Sequence, residues 1–561
     1  MGFTAISFLA IFVISSVVSV NNLREEFTWT RIDYDWGNRR TRQVDTEDRY
    51  GSYGGLPSRQ PQRQHGNSGI SYPTSDSSLV GSYTDANRRP GNYGGSSNNN
   101  RPTRRPTQNQ GASSQNIQNS WNGQQGNINR GQGQGGSSGS SSSQSRENYI
   151  YQNNIPMGAG VWGDKLFITV PRRRHGVPSS LNYVSLSSQN RHNTPLIPYP
   201  NWEMNALPEN YNNTNFDNSS LSPAERQRFV SVYRVAADSC DRLWFVDTGR
   251  MEIPNAPIQI QSPKLVIMDL RTDTVLRQYT FPESDLRPST LFAHVVVETE
   301  PNNCNNAYAY LPDVGGYGLV VYSFRQNRSW RLTHNYFYLE PLRGEFRIGG
   351  HTFQWNDGVF STALSPSNNG RRDLYFHSMA GSHLYRVPTE ILKNETAATR
   401  SYHGEDFQVV GDRGEGSQTS ASALDQSTGV LFLGLVNQNA LACWNINSPI
   451  TDISIVQKDD ERMIYPCDLK IYNDNIYLLT NTMPTFLYGQ LDYDVTNFRI
   501  WVQNVGEAIQ GTRCASGSGS SNGGGNSNRY QGSNSRGGSY GNRKNHGTRG
   551  ASNTRPNFEY F

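Results

Sequence analysis

Cys240–Gly249 reads CDRLWFVDTG. The alternating large residues are those of a strand, while the closing D-T-G also spells the motif around a pepsin-like catalytic carboxylate. Related stretches elsewhere in the chain decide between the two. A polar or turn residue followed by an apolar, aromatic-bearing strand recurs as DKLFITVP from Asp164, NAYAYLPD from Asn306, RDLYFHSM from Arg372, GVLFLGLV from Gly429 and DNIYLLTN from Asp474. With DRLWFVDTG from Asp241 that makes six copies, spaced 45 to 77 residues apart.

Each copy is the second beat of a four-strand unit. First beats precede it: PMGAGVW, FVSVYRVAAD, HVVVE, FSTALSP, QTSASALD and YPCDLKIY. Third beats follow: LNYVSL, KLVIMDL, GLVVYSF, HLYRVP, LACWNI and TFLYGQL. The fourth beats are PLIPYP, VLRQYTFP, SWRLTH, FQVVGD, SIVQ and NFRIWV. Six four-stranded units joined by Gly, Asn, Asp and Ser turns predict an all-β fold, a six-bladed β-propeller. Twenty-four strands are too many for a single β-sandwich. An aspartic protease needs a second D-T-G or D-S-G carboxylate. The equivalent place after Asn306 reads PDVGG, so Asp247 is expected to cap a turn at the end of a blade.

The chain has 561 residues, of which only 34% are hydrophobic. Residues 37–147 and 515–561 are rich in Gly, Ser, Asn, Gln and Arg, a composition that cannot bury enough apolar surface to fold, and they are expected to be disordered. The foldable part is 148–514, with a short N-terminal segment, 20–36, expected to pack on the propeller as a strand. Residues 1–19 are apolar and uncharged and read as a secretory signal peptide, with Val17 and Ser19 as small residues before a cut; a retained anchor is the rival reading.

Export fits other features. Sequons stand at Asn212, Asn218, Asn327 and Asn394. Five cysteines without a C-x-x-C pair suit two disulfides and a spare thiol in an oxidising compartment, not a zinc site. In the blade frame Cys240 and Cys304 occupy equivalent turns of neighbouring blades, so a Cys240–Cys304 bridge is plausible. A Cys443–Cys514 bridge would pin the C-terminal end and leave Cys467 as the free thiol. Sequence leaves the connectivity open.

Many motifs in a fixed order carry a resemblance: FITVPRRRHGVPSSLNYV, PLIPYPNW, CDRLWFVDTGR, NAYAYLPDVGGYGLVVYS, SWRLTHNYFYLEPLRGEF, FQWNDGVFSTALSP, ALACWN, MPTFLYGQLDYDVTNFRIWV and GTRC. Together they closely resemble the insect Yellow / major royal jelly protein family, over about 145–514 and again over FTWTRIDYDW at Phe27–Trp36. The resemblance implies a secreted six-bladed propeller. Members act in cuticle pigmentation, in eggshell or as nutritive proteins; some speed dopachrome conversion, and some salivary relatives bind biogenic amines in the central channel. The chain departs from the family in three ways. About 110 low-complexity residues follow FTWTRIDYDW. Two further cysteines of relatives are missing, from NWEMNALPENYNN and NAPIQIQSPKL, and their joint absence implies that they pair with each other. Cys467 replaces a small residue.

The central channel is the default ligand site of a propeller. From the resemblance, Asn481 and Met483 are ligand-binding candidates, joined by Phe353 and Trp355 of FQWND. Aromatic and amide groups suit a small aromatic amine or catechol-derived ligand. Dopachrome isomerisation requires a base near neutral pKa. His294, at the start of a first strand, is the candidate. No cofactor is expected, and the scattered His show no metal-ligand spacing. The G-x-S-x-G match at Ser539 lacks the strand and helix that a nucleophile elbow needs. Arg-Gly runs resemble RNA-binding segments, but export argues against a nucleic-acid partner, and no segment beyond the first is apolar enough for a membrane. Exposed tyrosines in GSYGG (Gly51–Gly55), GNYGG (Gly91–Gly95) and GSYGN (Gly538–Asn542) point to association with cuticle or eggshell matrix. A structural matrix protein acting through its tails is a third reading, beside a channel ligand-binder and a dopachrome isomerase.

Overall fold

The computed structural model describes residues 23–37, 149–208, 211, 216–253, 257–300 and 302–517. The expected signal peptide, nearly all of the 37–147 insertion and 515–561 tail, Asn212, Ser539 and the Gly/Tyr motifs lie outside the described residues.

Six antiparallel four-stranded sheets follow one another along the chain. Blade one comprises Gly158–Trp162, Lys165–Thr169, Leu181–Ser185 and Ile197–Pro198. Blade two comprises Val232–Ala237, Arg242–Asp247, Lys264–Asp269 and Thr274–Thr280. Blade three comprises Val296–Glu298, Tyr308–Asp313, Gly318–Ser323 and Arg328–Leu332. Blade four comprises Val359–Leu364, Asp373–Ser378, His383–Pro388 and Gln408–Asp412. Blade five comprises Thr419–Leu424, Val430–Leu435, Ala440–Asn445 and Ser454–Lys458. The second strands, where the repeat was most legible, are almost wholly buried: LWFV of blade two and LFLGL of blade five expose almost nothing. Strands buried on both faces read as continuous apolar runs, which is why these stand out from the polar fourth strands.

Blade six corrects the sequence reading. TFLYGQL was expected to be its third strand and NFRIWV its fourth. Instead Met483–Tyr488 is a short helix, with Pro484 in its first turn and Gly489 ending it. Phe498–Asn504 is the third strand, after Pro466–Tyr472 and Asn475–Thr480. The fourth place is filled by the N-terminal strand Arg24–Trp29, which pairs antiparallel with Phe498–Asn504. The ring therefore closes non-covalently, with first and last parts of the chain in one sheet. Phe27 and Trp29 are buried there, and the Trp29 indole donates to the Thr194 carbonyl of blade one at 2.8 Å.

Four innermost strands carry a register shift near their first residues. It leaves Tyr233 and Arg234, Phe360, Ser420 and Cys467 unpaired in the ladders of blades two, four, five and six. A bulge re-aims its residue, and here the bulged residues meet. Arg234 donates to the carbonyls of Ser420 and Cys467 and lies over the Phe360 ring, 4.9 Å from its centroid.

Disulfides join Cys240 to Cys304 and Cys443 to Cys514; Cys467 is a free, buried thiol that burial pushes up to about 12. A thiol so protonated is a poor nucleophile. Of the sequons, Asn218, Asn327 and Asn394 are exposed.

Candidate functional site

Asp247 is a structural cap. Its carboxylate accepts from the Val230, Ser231 and Gly249 amides at 2.8–3.1 Å, and Lys264 stands 3.8 Å away. Asp313 repeats the arrangement in blade three, accepting from Leu291 and Gly316 amides and pairing with Arg331 at 2.7 Å. Both carboxylates are spent on holding backbone amides and a buried cation, which is a capping role.

The sequence candidates divide. Asn481 is fully buried and committed: it donates to the Pro156 carbonyl at 2.7 Å and accepts from the Met483 amide. Met483 is buried in the core beside Phe486. Both hold the helix between the second and third strands of blade six against blade one. Phe353 and Trp355 are half-buried, on and just after the hairpin Glu345–Ile348/His351–Gln354 that precedes blade four. Phe353 packs on Phe346 and Tyr488, and Trp355 stacks on Tyr465 at 6.5 Å. His294 lies elsewhere. It is buried, its Nε2 faces the Thr362 carbonyl at 3.2 Å, and burial holds its pKa well below the usual imidazole value.

The group that sequence reasoning missed is Asp357, two residues after Trp355. It sits where the chain enters the innermost strand of blade four. Burial raises its carboxyl to about 7, against hydrogen bonding from Trp355 and the charge of Arg173. Arg173 follows the second strand of blade one; its Nε is buried without a partner, and it hydrogen-bonds Tyr233 on blade two. Tyr465, just before the innermost strand of blade six, has its phenol pushed well above the usual range by burial and by Cys467 and Asp357. Asp357, Arg173, Tyr233, Tyr465 and Trp355 thus gather at the end of the ring where innermost strands begin. Gly358 makes room: a Cβ there would collide with the Tyr317 ring and the Phe337 carbonyl. A carboxyl near neutral pKa beside a guanidinium and several aromatic faces can exchange protons with a flat anionic molecule.

The major royal jelly protein profile matches residues 230–514. The chain is 39% identical over 375 residues to L-dopachrome tautomerase yellow-f of Drosophila melanogaster, covering 66% of this chain and 84% of that protein. The chain belongs to the Yellow / major royal jelly protein family. It is 38% identical over 373 residues to Protein yellow of Drosophila melanogaster and of Drosophila yakuba, and spans 65% of the length of each.

Within this Yellow-family chain, the segments around 207–216 and 251–260 meet through apolar contacts. Leu207, Tyr211 and Phe216 pack with Val230, Met251, Ile258 and Ile260. Among the described residues no group of three or more His, Cys, Asp or Glu is arranged to hold a metal, and no helix is long and apolar enough to cross a membrane.

Proposed function

We propose that this Yellow-family protein is exported and acts in pigmentation or maturation of an extracellular matrix, by isomerising a dopachrome-type aminochrome at the Asp357 end of its channel. The observation that carries the reading is the Asp357 carboxyl, raised to about 7 beside Arg173. A general base works best when its pKa lies near the working pH. In this isomerisation two hydrogens leave the saturated carbons of the five-membered ring as protons, and two protons are added to the quinone oxygens. Atoms and electrons balance without an oxidant. Asp357 takes up each proton and returns it, Arg173 draws in the substrate carboxylate, and Trp355 and Tyr465 flank the ring. The name of the 39%-identical relative supports this chemistry.

Export is supported by the two disulfides, which persist in oxidising compartments, and by the exposed sequons. Cuticle or eggshell is the setting that the family resemblance implies.

The test is dopachrome decay followed by absorbance with purified full chain. Asp357→Asn is expected to lower the rate by at least about 100-fold. If the wild-type chain does not speed decay, the isomerase reading fails. A second reading then stands on the same carboxylate, which ionised beside Trp355 suits an aromatic ammonium; calorimetry with dopamine and serotonin tests it.

A further inference from the structure

The strand register sets Asp357 beside its counterparts in other blades. Val232 pairs with Asp247 in blade two, Phe292 bridges to Asp313 in blade three, and Val359 pairs with Ser378 in blade four. Two residues before each of these stand Val230, Thr290 and Asp357. In blades two and three the carboxylate that ends the second strand grips this lead-in segment. Asp247 accepts from the Val230 and Ser231 amides, and Asp313 from the Thr290 hydroxyl and the Leu291 amide. Blade four ends its second strand in Ser378, which carries no carboxylate and donates to the Tyr338 carbonyl. Its lead-in segment is held differently.

The grip comes from blade three, through the turn Val314–Tyr317. The Gly358 amide donates to the Val314 carbonyl at 3.1 Å, and the Tyr317 hydroxyl donates to the Asn356 carbonyl at 2.8 Å. The Tyr317 ring lies against Gly358, where a Cβ would collide with it, and stacks with half-exposed Tyr338 at 4.8 Å. One side chain thereby fixes both neighbours of Asp357. The Ala380 and Met379 amides of blade four complete the hold, on the Asp357 and Gly358 carbonyls at 3.2 and 2.9 Å.

The turn that does the gripping is itself held fast. Val314 donates to the Leu291 carbonyl at 3.1 Å, the Ser289 hydroxyl to the Gly315 carbonyl at 2.7 Å, and Arg331 to the Gly316 carbonyl at 2.6 Å. Tyr317 has φ +49°, in the left-handed region where a bulky side chain is costly and glycine is free. The stretch DVGGYG contains three glycines, yet the left-handed place belongs to tyrosine. Such strain persists where the surroundings over-determine it, and it clusters at functional sites.

We propose that Tyr317 is a positioning residue for Asp357: reaching over from blade three, it fixes the main chain on both sides of that carboxyl and keeps it turned into the channel end instead of toward water. This rests on the reading of Asp357 as the proton carrier. The groups that face Asp357 are Arg173 of blade one, Tyr233 of blade two, Tyr317, Tyr465 of blade six, Tyr488 of the helix Met483–Tyr488 and the Trp355 side chain. Tyr317 adds to this a bond to the main chain beside it.

Two readouts on the purified full chain test the proposal. Tyr317→Phe keeps the ring and removes the hydroxyl. Tyr317→Asn suits the left-handed turn and removes the ring as well. The first readout is melting from pH 5 to 8. Asp357, raised to about 7, holds a proton that the unfolded chain has lost, so its contribution falls as pH rises. A carboxyl released toward water has a lower folded pKa and loses less. Both variants are therefore expected to melt below wild type at pH 5 and to close that gap toward pH 8, Tyr317→Asn more than Tyr317→Phe. A hydroxyl with a merely structural role lowers the midpoint equally at every pH. The second readout is dopachrome decay. Tyr317→Phe is expected to slow it by about tenfold, the loss of one hydrogen bond, and to move its inflection to lower pH. Melting curves of Tyr317→Phe parallel to wild type, or a slower rate with an unmoved inflection, overturn the proposal. If wild type leaves dopachrome unchanged, the isomerase reading fails and the melting curves alone decide the role of Tyr317.

Discussion

The Arg234 guanidinium stands 3.6 Å from Asp468 Oδ1, across the channel between blades two and six, and both side chains are almost completely buried. Asp468 also accepts from the Ala159 amide of blade one at 3.0 Å, and Arg234 reaches carbonyls of blades five and six. One ion pair thereby ties four blades together on the axis.

Removing one partner of a buried pair leaves the other charge unmatched. Arg234→Met is expected to destabilise the propeller by about 3 kcal/mol or more, read as a lower denaturation midpoint. Arg234→Lys is expected to rescue little, because an ammonium lacks the planar fork that meets two carbonyls and a carboxylate at once. A midpoint unchanged in Arg234→Met would show that the axis contributes nothing.

Asp357 links stability to pH. Its carboxyl is raised from the ordinary 3.8 to about 7 in the folded chain. The folded state therefore holds a proton that the unfolded state has lost across that window. Stability from this group is full below about 4 and falls as pH rises through about 7. Asp357→Asn is expected to flatten this decline and to melt higher than wild type at pH 8, while losing the rate and its inflection near 7. Parallel melting curves of the two proteins from pH 5 to 8 would contradict it.

The Cys443–Cys514 bridge closes a separation of 71 residues and fastens the segment after blade six to blade five. On chain-entropy grounds such a loop is worth about 4 kcal/mol. Cys514→Ser is expected to lose most of that, measured by urea denaturation. Cys467→Ala, a change at the free thiol, leaves both bridges intact and serves as the comparison.

The N-terminal strand is the clasp of the ring. Trp29→Ala removes a fully buried ring and its hydrogen bond to blade one, at an expected cost of about 3–5 kcal/mol. A chain beginning at 149 lacks the outer strand of blade six altogether. It is expected to melt without cooperativity, and to recover a sharp transition when a peptide of residues 20–37 is added. A cooperative melt of the shortened chain by itself would refute the clasp.

Much of this fold is readable from periodicity, because a strand buried on both faces writes an uninterrupted apolar run. What sequence misplaced was blade six. TFLYGQL is apolar enough for a strand, yet Pro484 favours a helix start; NFRIWV moves into the third place, and the fourth is filled by a strand more than 460 residues earlier in sequence. Nothing local signals so distant a partner. The site was less legible. Phe353 and Trp355 are suggested by the resemblance; Trp355 hydrogen-bonds Asp357, and Phe353 packs on Trp355. Asp357 itself looks like an ordinary turn residue in WNDG; what makes it unusual is its burial in the folded ring, which sequence spacing does not express. Asn481 invited a ligand role, but its amide is spent on the Pro156 carbonyl.

The chain leaves the ring at Gly37 and re-enters it at Tyr149, and the rings of Trp36 and Tyr149 touch, with centroids 5.7 Å apart. Tyr149 also donates to the Ile32 carbonyl at 2.5 Å. Exit and entry are riveted side by side, and the entropic cost of a loop rises only with the logarithm of its length. The propeller is thus indifferent to how much chain is paid out between the rivets. A longer or shorter intervening segment is expected to leave the propeller's stability nearly unchanged.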